Sequence, residues 1–206
     1  LGQGGMGAVY LVERYGASGF SVRYALKVLH EAYRGQAPFE RMLIAEAQWG
    51  ARLRHPHLIA YHDLGLVDEI LYACMEYFPS RPLNDLLQSK PLPLPLCCAI
   101  ARSVAAGLAY LHNACDDKRQ QLGLVHRDIS PTNVLLGPHC QIKLGDLGLA
   151  KATQLSDHTW GQLRKGTLAY MSPEQLAGQP VEGGSDIFSL GVVLAEMAMG
   201  RHPFAA

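Results

Sequence analysis

The stretch His126-Arg127-Asp128-Ile129-Ser130-Pro131-Thr132-Asn133 holds an aspartate and an asparagine five residues apart. A tight loop of that length, running into the apolar Val134-Leu135-Leu136, lets both side chains converge on one point. There a carboxylate accepts the proton of an attacking hydroxyl, and an amide oxygen binds a metal. Such chemistry needs further groups elsewhere in the chain to hold the substrate and complete the metal's ligands.

Glycines at 2, 4, 5 and 7 in Leu1-Gly2-Gln3-Gly4-Gly5-Met6-Gly7-Ala8-Val9 offer a cradle, since backbone without Cβ approaches phosphate closely. A dinucleotide-binding turn has similar glycines but opens a helix within them. Here Ala8 to Val12 continues as a strand, and Gly16-Ala17-Ser18-Gly19 turns into a second strand from Phe20 to Leu29. A plain hairpin turn is the competing reading of the glycines. Lys27, in Tyr24-Ala25-Leu26-Lys27, lies on that second strand, where a lone lysine is ordinarily a solvated one. A helix is predicted over Pro38 to Arg54, with Phe39, Met42, Leu43 and Leu53 apolar and two glutamates, Glu40 and Glu46. Gly50 inside it costs about 1 kcal/mol relative to alanine. Neighbouring Trp49 is the candidate to fill the space it leaves, and a mobile helix is the alternative.

Leu58 to Tyr61 and Ile70 to Tyr77 read as strands around an Asp68-Glu69 turn. Pro79-Ser80-Arg81-Pro82 is the best boundary, giving domains 1–78 and 79–206. Beyond it come a short helix over Leu83 to Ser89 and a proline connector. A core helix over Leu96 to Asn113 follows, with Ile100, Val104, Leu108 and Leu111 on one face. After the loop that opened this description, a strand leads into Asp146-Leu147-Gly148. Ser185-Asp186 opens an apolar helix from Ile187 to Gly200, too short for a membrane span and carrying Glu196.

The 206 residues, 49% hydrophobic and 17% charged, suffice for one sizeable domain or two small lobes. Lys+Arg and Asp+Glu are both 18, so no basic surplus points to a nucleic acid or an anionic membrane. Cys74, Cys97, Cys98, Cys115 and Cys140 are odd in number and form no CxxC, which argues against a disulfide framework or zinc site. A cytoplasmic location is expected. The chain begins at Leu1 without Met and stops at Phe204-Ala205-Ala206, so a fragment is expected, with any anchoring segment outside it.

The motifs together resemble eukaryotic-type (Hanks-type) serine/threonine protein kinases, in a bacterial-like wording. The opening loop is similar to H-R-D-x-x-x-x-N, the glycine stretch to G-x-G-x-x-G-x-V, and Tyr-Ala-Leu-Lys to V-A-I-K. Asp146-Leu147-Gly148 is similar to D-F-G, with Leu147 for phenylalanine, thirteen residues past Asn133. Gly166 to Glu174 resembles the G-T-x-x-Y-x-x-P-E platform, with Ser172 replacing an alanine.

The resemblance implies an α+β, bilobal protein-kinase-like fold, with a small antiparallel β-sheet N-lobe bearing one helix and a mainly helical C-lobe. It also implies ATP with Mg²⁺ (or Mn²⁺), and protein acceptors with Ser or Thr hydroxyls. Asp128 would be the catalytic base, and Lys27, paired to Glu46 rather than Glu40, would hold the α- and β-phosphates. Leu1, Gly2, Gly4, Gly5 and Gly7 would cover the phosphates, and Val9, Ala25 and Leu135 would sandwich the adenine. Met75 would back the pocket, with the Glu76 to Phe78 backbone on the adenine edge. Asn133 and Asp146 would hold the metal. Asp186 would bond to the catalytic-loop backbone.

Arg127 would pair with a phosphate in the activation loop, where Thr153, Ser156 and Thr159 are candidates for autophosphorylation. Thr167 would serve the peptide platform, and helices beyond Gly200 would supply an arginine for Glu174. Besides Leu147, two further departures bear on the site. Ser130 stands where the family has lysine, leaving Lys151 or Lys165 as substitute cations, and Gly50 stands where an apolar residue packs. A pseudokinase scaffold and a small-molecule phosphotransferase of the aminoglycoside-kinase kind remain as alternatives; the latter would lack the 167–174 platform.

Overall fold

Runs of β-branched and aromatic residues broken by glycine turns dictate a sheet at the N-terminal end. In the computed structural model, which describes residues 1–87, 90–147 and 168–204, these runs are β1 (Gly2–Gln3), β2 (Gly7–Tyr15), β3 (Ser21–Leu29), β4 (Tyr61–Val67) and β5 (Ile70–Glu76). They pair antiparallel in the order β1-β2-β3-β5-β4. Because side chains alternate along a strand, the partners Val9–Lys27, Leu11–Ala25, Lys27–Ala73 and Ala25–Met75 share one face. The helix α1 (Ala37–Arg52) covers that face with Phe39, Met42, Leu43 and Ala47, all buried. Residues 1–54 and 59–78 make one compact unit.

The strand expected over Leu58 to Tyr61 is not formed; β4 starts where it was to end. Leu58 and Ile59 are apolar because they are buried, not because they pair in the sheet. Residues 55–58 belong to the second compact unit, where Leu58 makes one isolated bridge to Leu144 and the Leu144 N–H donates to the His57 carbonyl at 2.9 Å. His57 Nδ1 lies 2.8 Å from the Ile142 carbonyl, and His55 stacks on Tyr110 with ring centroids 5.0 Å apart.

Most of the second unit comes from residue 79 onward. Its small sheet pairs β6 (Arg81–Pro82), β7 (Val134–Leu136) and β8 (Ile142–Leu144) in that order. Its α-helices among the described residues are α2 (Leu94–His112), α3 (Pro173–Leu176) and α4 (Gly183–Met199). By length and composition α2 is apolar enough to cross a membrane. Cys97, Ile100, Val104, Leu108 and Leu111 are buried within the unit, which is the environment of a core helix. It begins two residues before the expected Leu96 because Pro95 fits the first turn, where no amide donor is needed.

Of the helix expected over Leu83 to Ser89, residues 88 and 89 lie outside the described residues; the part before them holds one 3₁₀ turn, Leu83–Asp85, with Leu83 fully buried and Leu86 exposed. α4 ends at Gly200, whose φ of 70° supplies the left-handed cap.

Candidate active site

In the first unit, the β3 register points Lys27 toward α1, and its Nζ lies 2.9 Å from Glu46 Oε1 and 3.1 Å from Oε2. Glu40 is engaged elsewhere, accepting the Gly35 N–H at 3.0 Å. A third group joins the pair: the Tyr61 hydroxyl donates to Glu46 Oε1. Tyr61 is wholly buried and fills the space beside Gly50, where a Cβ would lie 2.4 Å from its ring. The expectation that Trp49 fills this gap is therefore corrected. Trp49 is half-buried and stacks under the Arg52 guanidinium, 5.4 Å from its ring centroid.

The glycine stretch forms a turn closed by the Gly4 N–H to the Gly7 carbonyl at 2.8 Å. Gly7 is required by packing, since a Cβ would meet the Val28 carbonyl oxygen at 2.1 Å. Gly2 and Gly4 meet no such obstacle; nothing lies within 4 Å of a Cβ on Gly2, and only the Gly7 carbonyl approaches one on Gly4. Gly5 is at the bend, and Leu1 is exposed. His30 fastens the turn, its Nε2 lying 2.9 Å from the Gly4 carbonyl and its N–H donating to the Met6 carbonyl at 3.0 Å.

Val9, Ala25 and Met75 share the Lys27 face of the sheet. The Glu76 carboxylate accepts the Ala60 N–H at 2.8 Å, and Phe78, past the end of β5, is half-buried. Leu135 is on β7 in the second unit, packed beside Gly145, rather than in the unit that holds Val9 and Ala25.

The second unit assembles the acidic groups. Asn133 Nδ2 donates to the Asp128 carbonyl at 2.8 Å and to Asp128 Oδ2 at 2.9 Å, with Asp128 only 5% exposed. The Asn133 N–H closes the loop on the Ser130 carbonyl at 3.0 Å. Its own carbonyl accepts the Gly145 N–H at 2.9 Å, which sets Asp146 next in line, at a φ of 46°.

The loop backbone is clamped from α4. Asp186 accepts the His126 N–H at 2.8 Å and the Arg127 N–H at 2.7 Å, and its Oδ2 lies 2.8 Å from His112 Nε2. This holds Arg127 at a φ of 64°. Burial lowers the Arg127 pKa, and the charge of Asp186 opposes that. Gln175 Nε2 donates to the Arg127 carbonyl at 3.1 Å from the capped start of α3. Ser130 is buried, with its hydroxyl 2.8 Å from that of Thr132, and Leu147 is a core residue.

Glu174 accepts the Ser185 hydroxyl, which holds its carboxyl below the ordinary value. Tyr170 donates to Glu196 at 2.6 Å; burial first, then that carboxylate, pushes its pKa up.

Among the described residues no cluster of three or more His, Cys, Asp or Glu side chains is placed to hold a metal. The second unit offers two hard-oxygen donors in linked stretches of backbone, the Asp146 carboxylate and the Asn133 amide oxygen. The latter is left as an acceptor because the nitrogen is committed to Asp128. Such a pair suits a magnesium-like ion that keeps waters and takes further oxygens from phosphates. Gly148, Lys151, Thr153, Ser156, Thr159, Lys165 and Thr167 lie outside the described residues. Sequence reasoning missed Tyr61, His30, His112 and Gln175. All four act through single polar atoms on residues that read as core or loop positions, so no spacing rule flags them.

A family model of the protein kinase domain matches residues 1–206. Tyrosine-protein kinase MasK of Myxococcus xanthus is 34% identical over 210 residues, covering 100% of this chain and 32% of that protein. Serine/threonine-protein kinase A of Synechocystis sp. is 36% identical over 211 residues, 98% of this chain and 40% of its own. Serine/threonine-protein kinase PrkC of Bacillus subtilis is 34% identical over 205 residues, 99% and 30%. The chain thus spans between 30% and 40% of the length of these three relatives. Among solved structures, the kinase domain of Mycobacterium tuberculosis PknI matches with a TM-score of 0.71 at 33% identity, covering 100% of this chain and 72% of that one. With the family model spanning every residue and a solved kinase domain sharing both fold and a third of the sequence, the chain belongs to the protein kinase family.

Proposed function

We propose that this chain is the catalytic part of a protein kinase that transfers the γ-phosphoryl group of ATP to Ser or Thr hydroxyls of proteins. Protein kinases as a family use ATP and a divalent metal. The observation that carries the proposal is the bond pair from Asn133 Nδ2 to Asp128, which fixes a buried carboxylate in a loop whose amide oxygen is left for a cation.

In this reading Lys27, aimed by Glu46, holds the α- and β-phosphates, and the backbone of the glycine turn covers them. Val9, Ala25 and Met75, on one face of the first unit's sheet, line the adenine, with the Glu76 to Phe78 backbone on its edge. Asp128 orients the acceptor hydroxyl and takes its proton as the new P–O bond forms and the bond to the β-phosphate breaks, releasing ADP. Asn133 and Asp146 would hold Mg²⁺ (or Mn²⁺), which when bound neutralises charge developing on the phosphates.

A second reading concerns the acceptor alone. Ser130 replaces the lysine expected of serine/threonine kinases, and one relative is named a tyrosine-protein kinase. Radiolabelled ATP with casein or myelin basic protein, followed by phosphoamino-acid analysis, separates the possibilities. Label on serine and threonine is the expected result, label on tyrosine selects the second reading, and no transfer to either protein counts against both.

A further inference from the structure

Tyr61 occupies a position that its ring alone does not explain. The glycine at 50 is needed for the ring to be there, because a Cβ would lie 2.4, 2.7 and 2.9 Å from Tyr61 Cδ2, Cγ and Cε2. A leucine at 61 with an apolar residue at 50 would fill the same volume without a glycine inside α1. What the pair Gly50 and Tyr61 adds is a hydroxyl delivered to Glu46 Oε1, the oxygen that Lys27 Nζ approaches at 2.9 Å.

The register of β4 against β5 shifts between Tyr61 and Asp63, an irregularity of the kind that re-aims a side chain. Glu46 is 4% exposed, and a carboxylate so buried is held in one orientation by the donors around it.

We infer that Tyr61 is a positioning residue for Lys27. Its hydroxyl holds the Glu46 carboxylate so that the glutamate meets the lysine with both oxygens, and the aim of the lysine at phosphate depends on that grip. Tyr61 touches no substrate; it acts through Glu46. The inference rests on the phosphotransfer reading above.

The test compares Tyr61→Phe, which keeps the ring beside Gly50 and removes only the hydroxyl, with the unaltered intact protein. A hydrogen bond to a charged group predicts a fall of about tenfold in kcat/KM for ATP with the fold retained. The same change is then made in a Glu46→Ala background, where a residue acting through Glu46 has nothing further to lose. A residue that only packs the core gives equal losses in both backgrounds, and that result overturns the inference. So does a wild-type kcat/KM for Tyr61→Phe.

If Tyr61→Phe does not fold, the double variant Gly50→Leu with Tyr61→Leu restores the volume without the hydroxyl. The tenfold loss supports the inference there, and full activity overturns it. An intact protein that transfers no phosphate at all overturns the phosphotransfer reading and this inference with it. A protein that transfers phosphate and ignores the hydroxyl overturns the inference alone.

Discussion

Replacing a glycine inside a helix with alanine ordinarily stabilises a protein by up to about 1 kcal/mol. At Gly50 the added methyl group meets the Tyr61 ring, which is itself fully buried. Gly50→Ala is therefore expected to destabilise by roughly 1–3 kcal/mol, the cost of an overpacked core. Denaturant unfolding measures it, and a stabilised variant contradicts the packing described. Ser130 gives a second residue-scale prediction. Its hydroxyl is engaged with that of Thr132, where the resemblance implies a lysine. Ser130→Lys is expected to raise turnover in a steady-state assay, whereas unchanged turnover means the position is not limiting. The meeting of Asp128 and Asn133 was legible from sequence because their spacing within one loop is local. Tyr61 was not, since its role depends on a glycine in another element, which by itself looks like a helix defect.

Among the elements, the turn of residues 55–58 and α4 carry the sharpest consequences. The His57 N–H donates to His55 Nδ1 at 3.2 Å, an interaction that needs a neutral His55 ring. Burial, then the charges of His57 and Lys143, hold the His55 pKa below its ordinary 6.5. Between the two values the unfolded chain binds the proton and the folded one resists it. Stability is thus fully present above pH 6.5 and falls as pH drops toward the folded pKa. Urea unfolding between pH 7.5 and 5.5, values chosen to bracket about 6.5, shows this as a decline that His55→Gln flattens. An unflattened decline assigns the effect to other groups.

Asp186→Ala removes the acceptor of two main-chain donors, His126, which is buried, and Arg127, which is half-buried. It is expected to cost about 3 kcal/mol, measurable by thermal or denaturant unfolding. A loss within the error of the method would show that the clamp is replaceable. The helices α2 and α4 were legible because a stripe or run of apolar residues demands burial whatever the partner. The start of β4 was not, because the apolar run at 58–61 is satisfied by two different environments and the pattern alone does not divide them.

For the whole molecule, the family followed from motifs whose order and spacing few other folds share. What stayed beyond reach was the division of labour within the chain. Residues 55–58 belong to the second unit although they lie between α1 and β4, a long-range preference that no local pattern encodes. The account stands on one claim, that Asp128 takes the proton of the acceptor hydroxyl. The most direct measurement is phosphoryl transfer from radiolabelled ATP by Asp128→Asn, beside nucleotide binding by the same variant. The account predicts transfer reduced to background with ATP binding kept near that of the unaltered protein. Near-normal transfer by Asp128→Asn contradicts it.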